Sequence, residues 1–142
     1  MKTGNKGIEL IKRFEHLMLN AYKCPAGVWT IGYGHTSGVE AGMEITEEQA
    51  EVLLVNDIKP IEALLNGLML HLNQNQFDAL VSFIFNVGAD AFLRSTLLRR
   101  IKEGVGAKDI EAQFMRWVYA GGKRLSGLIR RRIAEADLYN SI

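Results

Sequence analysis

Glu15 is the residue with the clearest potential for chemistry, because it is an acid on an otherwise apolar stripe. Phe14 precedes it, and Leu17, Met18 and Leu19 follow it closely. A carboxyl group held against apolar neighbours is favoured in its protonated form, which can donate a proton to a leaving group. The other interpretation is an ordinary carboxylate that ends a helix and points into water, and the residues alone favour it.

Other residues that carry chemistry are few and scattered. Cys24 is the only cysteine, which excludes a disulfide framework and a multi-cysteine metal site. His16, His35 and His71 lack the spacing of metal ligands, and the chain has no phosphate-binding or dinucleotide glycine motif and no serine nucleophile elbow. A Cys24–His35 nucleophilic pair is conceivable, although no neighbouring residue marks it. We therefore expect neither a cofactor nor a metal ion.

The composition is that of one globular domain. The chain has 142 residues, of which 48% are hydrophobic and 23% are charged, a balance typical of folded rather than disordered proteins. No apolar stretch approaches the roughly 20 residues of a membrane span, and no signal-peptide core follows the first lysines. We expect a soluble monomer that is made in a reducing compartment.

Charge is distributed unevenly along the chain. Residues 1–93 carry a net charge of −5, and residues 94–142 carry +6. A basic half of this kind can attract a polyanion, whereas solvated helix faces are the plainer explanation. A nucleic-acid-binding helical protein is disfavoured, because the aromatic residues follow core spacing instead of alternating with the basic ones.

The pattern of apolar residues predicts an α+β fold in which a small sheet is set into a helical body. Residues 19–42 place glycines between β-branched and aromatic residues, which is typical of short strands joined by turns. The remaining segments have helical periodicity. The predicted helices cover residues 5–16, 46–66, 73–87, 91–103, 107–120 and 126–140.

Particular residues are expected to begin or interrupt these helices. Asn5 is the expected N-cap of the first helix, and Thr46 and Gln49 have the spacing of a capping box at the start of the second. Pro60 should kink or split that second helix near Lys59. Glycines provide the breaks between the later helices.

Several segments form a pattern that spans nearly the whole chain: Phe14-Glu15, residues 30–36 (TIGYGHT), residues 73–80 (NQNQFDAL), residues 83–88 (FIFNVG), and Trp117 with Arg130–Arg132 and Glu135. This pattern resembles the phage-type lysozymes, glycoside hydrolase family twenty-four, which cut bacterial peptidoglycan. The resemblance implies a mostly helical lysozyme-like fold, with the active-site cleft between a small antiparallel sheet lobe and a larger helical lobe. A single domain over residues 1–142 would then comprise a sheet lobe at about 17–45, a connecting helix at about 46–66, and a helical lobe from residues 1–16 and 67–142.

The resemblance also implies roles for individual residues. Glu15 matches the glutamate that protonates the leaving glycosidic oxygen, and Cys24 and Thr30 match the positions of the acidic residue and the threonine that hold or activate the attacking water. In the family's inverting mechanism this water attacks the opposite face of the sugar. The substrate-binding residues implied in the same way are His35, Thr36, Phe85 and Ser95.

Cys24 departs from the family pattern, which usually has an aspartate at this position. A thiol with the ordinary pKa of about 8.5 is largely neutral at pH 7, so it begins as a poorer electrostatic stabiliser. Three alternatives stay open: Cys24 assists Thr30, as a thiolate if Lys23 lowers its pKa; Cys24 attacks the sugar directly; or the weakened site binds peptidoglycan without cutting it well. Because the family includes members with cysteine here, we expect an active enzyme.

The resemblance finally implies where the enzyme acts. The expected reaction is hydrolysis of the β-1,4 bond between N-acetylmuramic acid and N-acetylglucosamine, which lyses the host cell. Bacterial peptidoglycan is the expected partner, without nucleic acid and without stable membrane insertion. The protein would stay in the cytoplasm of the bacterial host until it reaches the cell wall with the help of a holin.

The resemblance also implies that one arginine of Arg130–Arg132 approaches Glu15. The alternative is that the run is a solvated helix face.

Overall fold

Seven helices and two short antiparallel hairpins make up the protein, and a computed structural model describes all 142 residues. The predicted α+β class is confirmed. None of the helices combines the length and the apolar composition needed to cross a membrane. In chain order the elements are α1 (Asn5–Glu15), β1 (Met18–Lys23), β2 (Trp29–Gly32), α2 (Glu47–Gly67), α3 (Gln74–Val87), α4 (Ala89–Leu93), α5 (Thr96–Glu103), α6 (Ala107–Phe114), β3 (Tyr119–Ala120), β4 (Lys123–Arg124) and α7 (Ser126–Tyr139).

Helix α3 is the centre of the core. Every residue from 77 to 84 on it is buried, and it packs against α1, α2 and α7. The ring of Phe83 meets those of Phe92, Phe114 and Trp117 edge to face, with centroids 6.2, 5.4 and 5.5 Å away. A helix that is buried on all sides must be surrounded by other elements, so α3 gives the surrounding helices a rigid common support.

The hairpin of β1 and β2 is fixed against α2. Its register pairs Tyr22 with Thr30 and Lys23 with Trp29. Residues 30–32 of β2 are buried, and a Cβ placed on Gly32 would lie 3.5 Å from that of Ala50 in α2. The strand therefore has a fixed position relative to the helical body, and so does the loop that follows it.

The caps of the helices differ in origin. The capping box predicted for Thr46 and Gln49 is confirmed. The prediction that Asn5 caps α1 is wrong: the N-cap is Gly4, which has no side chain to accept a hydrogen bond. The acceptor comes instead from Asp78 of α3, whose carboxylate accepts from the amides of Gly4 at 2.9 Å and Gly7 at 3.2 Å.

Helix α2 continues through Pro60 and is not split there, and the buried residues Ile58 and Leu65 hold it on both sides of the proline. Two other predicted helices are also corrected. The predicted helix over 91–103 is two helices, since the Ser95 side chain caps α5 and ends the preceding turn. The predicted helix over 107–120 ends at Phe114, and its last two residues form β3.

Candidate active site

Glu15 is the last residue of α1 and stands where the helical body meets the hairpin. The next residue, His16, has φ 63° and ψ 156°, a backbone conformation rare outside glycine, and it turns the chain towards β1. The Glu15 side chain is 20% exposed. A Cβ placed on Gly34, in the loop after β2, would lie 2.8 Å from Glu15 Oε1. This close approach explains why a glycine follows Tyr33.

Arg131 is the arginine of the run that reaches Glu15. Its Nη1 donates to Glu15 Oε2 at 2.6 Å, and its side chain is 4% exposed. Arg132 is also buried, whereas Arg130 is exposed. The interpretation of the run as a solvated helix face is therefore wrong for two of its three members.

Cys24 and Thr30 lie together at the turn of the hairpin. The Cys24 amide donates to the Val28 carbonyl at 2.9 Å, and the Thr30 hydroxyl donates to that carbonyl at 3.0 Å. The backbone amides of Val28 and Ala26 lower the pKa of the partly exposed Cys24 thiol, and the Thr30 hydroxyl adds to the effect. Hydrogen bonds to a thiolate favour the ionised form.

Lys23 does not make the contribution suggested for it. Its ammonium lies over the ring of Trp29, 5.5 Å from the centroid, and the lowered pKa of Cys24 has the hairpin amides as its main cause. Neither Cys24 nor Thr30 hydrogen-bonds to Glu15, whose side chain is bonded to Arg131.

Three of the four predicted substrate-binding residues share one cavity. His35, Thr36 and Phe85 line a space of about 330 Å³, together with Gly34 and Asp57. The His35 ring is fixed, because Nδ1 lies 2.8 Å from Asp57 Oδ2 and Nε2 lies 2.9 Å from the Ser37 carbonyl. The cavity therefore lies between the loop after β2 and the helices α2 and α3.

Ser95 lies elsewhere. Its hydroxyl donates to the Phe92 carbonyl at 2.6 Å and accepts from the Leu98 amide at 3.1 Å, so it caps α5. It borders a second cavity of about 470 Å³ that Arg94 and Arg116 also line. The structure therefore does not bring Ser95 into the cavity of the other three residues.

Sequence reasoning gave no role to several residues that shape the site. Gly34 was part of the TIGYGHT segment, but only the position of Glu15 shows why it must be glycine. Asp57 holds His35, and the Ser82 carbonyl accepts from Arg131 Nη2 at 3.0 Å. Both residues are far from Glu15 in sequence, and no local pattern marks them. No group of three or more His, Cys, Asp or Glu residues is arranged to hold a metal ion.

Comparisons with known proteins agree on one family. The family model described as phage lysozyme matches residues 12–135. The endolysin of Acyrthosiphon pisum secondary endosymbiont phage 1 is 49% identical over 99% of each chain, and the endolysin of Salmonella phage P22 is 40% identical over 99% of each chain. Among solved structures, the muramidase domain of SpmX from Asticaccaulis excentricus is 42% identical, with a TM-score of 0.91 over 99% of each chain.

A helical body, a small hairpin and a half-enclosed acid between them define a lysozyme-type glycoside hydrolase. The chain belongs to the phage lysozyme family. It is accordingly an enzyme with lysozyme activity, which hydrolyses peptidoglycan.

Proposed function

We propose that the enzyme cleaves the β-1,4 bond between N-acetylmuramic acid and N-acetylglucosamine with inversion, and that Glu15 is the general acid. The position of Glu15 carries this proposal. Its side chain is 20% exposed, at the junction of the helical body and the hairpin. Arg131 occupies Oε2, which leaves Oε1 to carry the proton that is donated.

The reaction begins with proton transfer from Glu15 to the glycosidic oxygen. The bond from that oxygen to the anomeric carbon breaks as positive charge develops on the sugar. A water molecule then attacks the anomeric carbon from the opposite face and loses a proton. The product is a sugar whose new reducing end has the α configuration.

Cys24 and Thr30 are the groups that we assign to the water. The lowered pKa of the Cys24 thiol increases the fraction of thiolate at neutral pH, and a thiolate can accept the proton that the water loses. The Thr30 hydroxyl, on β2 beside that turn, is held by the Val28 carbonyl and orients the water as a hydrogen-bonding partner. The cysteine thereby takes over the task of the usual aspartate.

Arg131 assists the step after the proton has left. The Glu15 carboxylate that then forms is paired with a guanidinium at 2.6 Å, and a charge-assisted hydrogen bond is stronger than a neutral one. An interaction that strengthens as the carboxylate forms lowers the barrier to proton transfer.

The second candidate mechanism is direct attack by Cys24 on the anomeric carbon. The same lowered thiol pKa favours it, because the thiolate is also a nucleophile. It would form a covalent glycosyl–cysteine intermediate, and hydrolysis of that intermediate would retain the β configuration.

The family resemblance supports a proposal for the setting of the reaction. We propose that the enzyme acts as a monomer on the bacterial cell wall after release from the host cytoplasm, and that a holin assists this release. The basic half of the chain, residues 94–142, has a net charge of +6 and would approach the carboxylates of peptidoglycan stem peptides.

Release of reducing ends from purified peptidoglycan tests the proposal. Glu15→Gln should lower the rate by about 100-fold or more, because the amide cannot supply the proton. Glu9→Gln is the matched control, since Glu9 is exposed on the same helix, and it should retain the rate. Cys24→Ser should retain wall binding and lose most of the rate.

Two outcomes would contradict the proposal. Full release by Glu15→Gln would mean that another group donates the proton. Absence of release by the unaltered protein, with binding to the wall retained, would instead identify a peptidoglycan-binding protein whose site Cys24 has silenced.

A further inference from the structure

We propose that Glu135 is a positioning residue for the general acid, acting through Arg131. This inference rests on the proposed role of Glu15. Glu135 does not touch Glu15, and its carboxylate is fully buried between α7 and α3. Its function would be to aim the Arg131 guanidinium and to offset its charge.

The Arg131 guanidinium is held on all its edges. Nη1 donates to Glu15 Oε2 at 2.6 Å, and Nε donates to Glu135 Oε2 at 3.2 Å. Nη2 donates to the Ser82 carbonyl at 3.0 Å. Because the guanidinium is planar and rigid, the partners on Nε and Nη2 determine the direction in which Nη1 points.

Glu135 is itself held by three donors. Its Oε2 accepts from the Ser82 hydroxyl at 2.6 Å in addition to Arg131 Nε. Its Oε1 accepts from Arg132 Nη1 at 2.5 Å. Arg132 is anchored in turn by the Trp117 carbonyl at 2.9 Å. The Glu135 carboxylate therefore has one fixed orientation, and its hydrogen bond with Arg131 Nε orients the Arg131 guanidinium.

Negative and positive side chains alternate along the series of contacts from Glu15 to Arg131, Glu135 and Arg132. Burial lowers the pKa of Arg132, and Glu135 opposes that effect by favouring the charged guanidinium. Glu135 likewise neutralises part of the field that Arg131 exerts on Glu15.

The other charged or titratable groups around Glu15 make no hydrogen bond to it. On α1 this is Arg13, whose guanidinium lies over the Phe14 ring, and directly after α1 it is His16. On α7 it is the exposed Arg130. Beyond Gly34 there is the His35–Asp57 pair, and the carboxylate of α3, Asp78, bonds to the amides at the other end of α1. Glu135 is thus the charge placed to act on Glu15 through Arg131.

Steady-state kinetics of Glu135→Gln test the proposal, with soluble peptidoglycan fragments as substrate. We expect kcat to fall about tenfold with KM within about twofold, since the acid and not substrate binding is disturbed. Glu111→Gln, an exposed site on α6, is the control and should change neither quantity.

Ser82→Ala separates orientation from charge. It removes the hydroxyl that donates to Glu135 Oε2 at 2.6 Å and accepts from Arg131 Nη2 at 3.4 Å. It keeps every charge, so kcat should fall only about threefold. Thermal unfolding of each variant sets an assay temperature at which it is folded.

Unchanged kcat in folded Glu135→Gln would overturn the proposal and leave Glu135 a role in stability alone. If Glu135→Gln does not fold, unchanged kcat in Ser82→Ala overturns it. Activity in Glu15→Gln would be a different failure, that of the proposed function, and is measured separately.

Discussion

At the scale of single residues, the candidate site depends on how much room surrounds Glu15. One of its oxygens is bonded to Arg131, and the other lies against Gly34. Gly34 has φ 79°, so it combines a left-handed backbone with a close approach to the acid. A side chain at this position would push directly on the group that donates the proton.

Gly34→Ala should therefore reduce kcat by about tenfold or more, since small displacements of a catalytic group are costly. Gly38→Ala is the matched control, because Gly38 has φ 70° and nothing within 4 Å of an added Cβ. Both variants carry similar backbone strain. Kinetics of the two proteins, together with their unfolding midpoints, separate crowding from strain. Equal loss of kcat in both would argue against the crowding of Glu15.

At the scale of elements, the placement of Glu15 depends on how α1 is attached to α3. Asp78 is 1% exposed and accepts from the amides of Gly4 and Gly7. A Cβ on Gly7 would lie 2.9 Å from that of Asp78, so the two helices touch at this point. This contact fixes the start of α1. Glu15, the last residue of the same helix, is thereby positioned in the site.

Asp78→Ala should lower the free energy of unfolding by about 1–3 kcal/mol, because it leaves amides at the start of α1 without their acceptor. Asp109→Ala serves as the control, since Asp109 is exposed in the first turn of α6, and it should cost only a few tenths of a kcal/mol. Chemical denaturation measures both values. A cost for Asp78→Ala as small as that of the control would refute the remote cap.

Local patterns predicted those elements whose ends are determined locally. Thr46 and Gln49 begin α2 as expected, because a capping box involves only neighbouring residues. Asn5 failed as a cap because the acceptor comes from Asp78, more than seventy residues away. The break before α5 was missed, because helical periodicity continues through Ser95 while its side chain caps the next helix.

At the scale of the whole molecule, the site is assembled from distant parts of the chain. Glu15 and Arg131 are separated by 116 positions. The sequence placed an arginine of the run near Glu15 through the family resemblance, but only packing selects Arg131, since Arg130 is exposed and Arg132 faces Trp117 and Glu135. His35 and Thr36, which were predicted to bind substrate from the motif that contains them, line one cavity.

The core that supports this assembly should respond to alkaline pH through Tyr139. Burial raises the pKa of this phenol to about 12, against about 10 in an unfolded chain. The folded state thus favours the neutral phenol, and this contribution is complete below about pH 10 and is lost as the pH rises towards 12. Between about pH 9 and 11.5 the unfolding free energy of the unaltered protein should fall by about 2 kcal/mol more than that of Tyr139→Phe.

Denaturation at several alkaline pH values compares these two proteins. Tyr119→Phe is the control, because Tyr119 is 57% exposed, and it should follow the unaltered protein. Parallel curves for all three proteins would contradict the buried phenol's role.

The anomeric configuration of the first product tests the central claim most directly. Proton NMR of a soluble peptidoglycan oligosaccharide during its hydrolysis, faster than mutarotation, shows which anomer the enzyme releases. Attack by a water that Cys24 and Thr30 hold predicts the α anomer. Release of the β anomer would contradict this account, and would show instead that the sugar passes through a covalent intermediate on the enzyme.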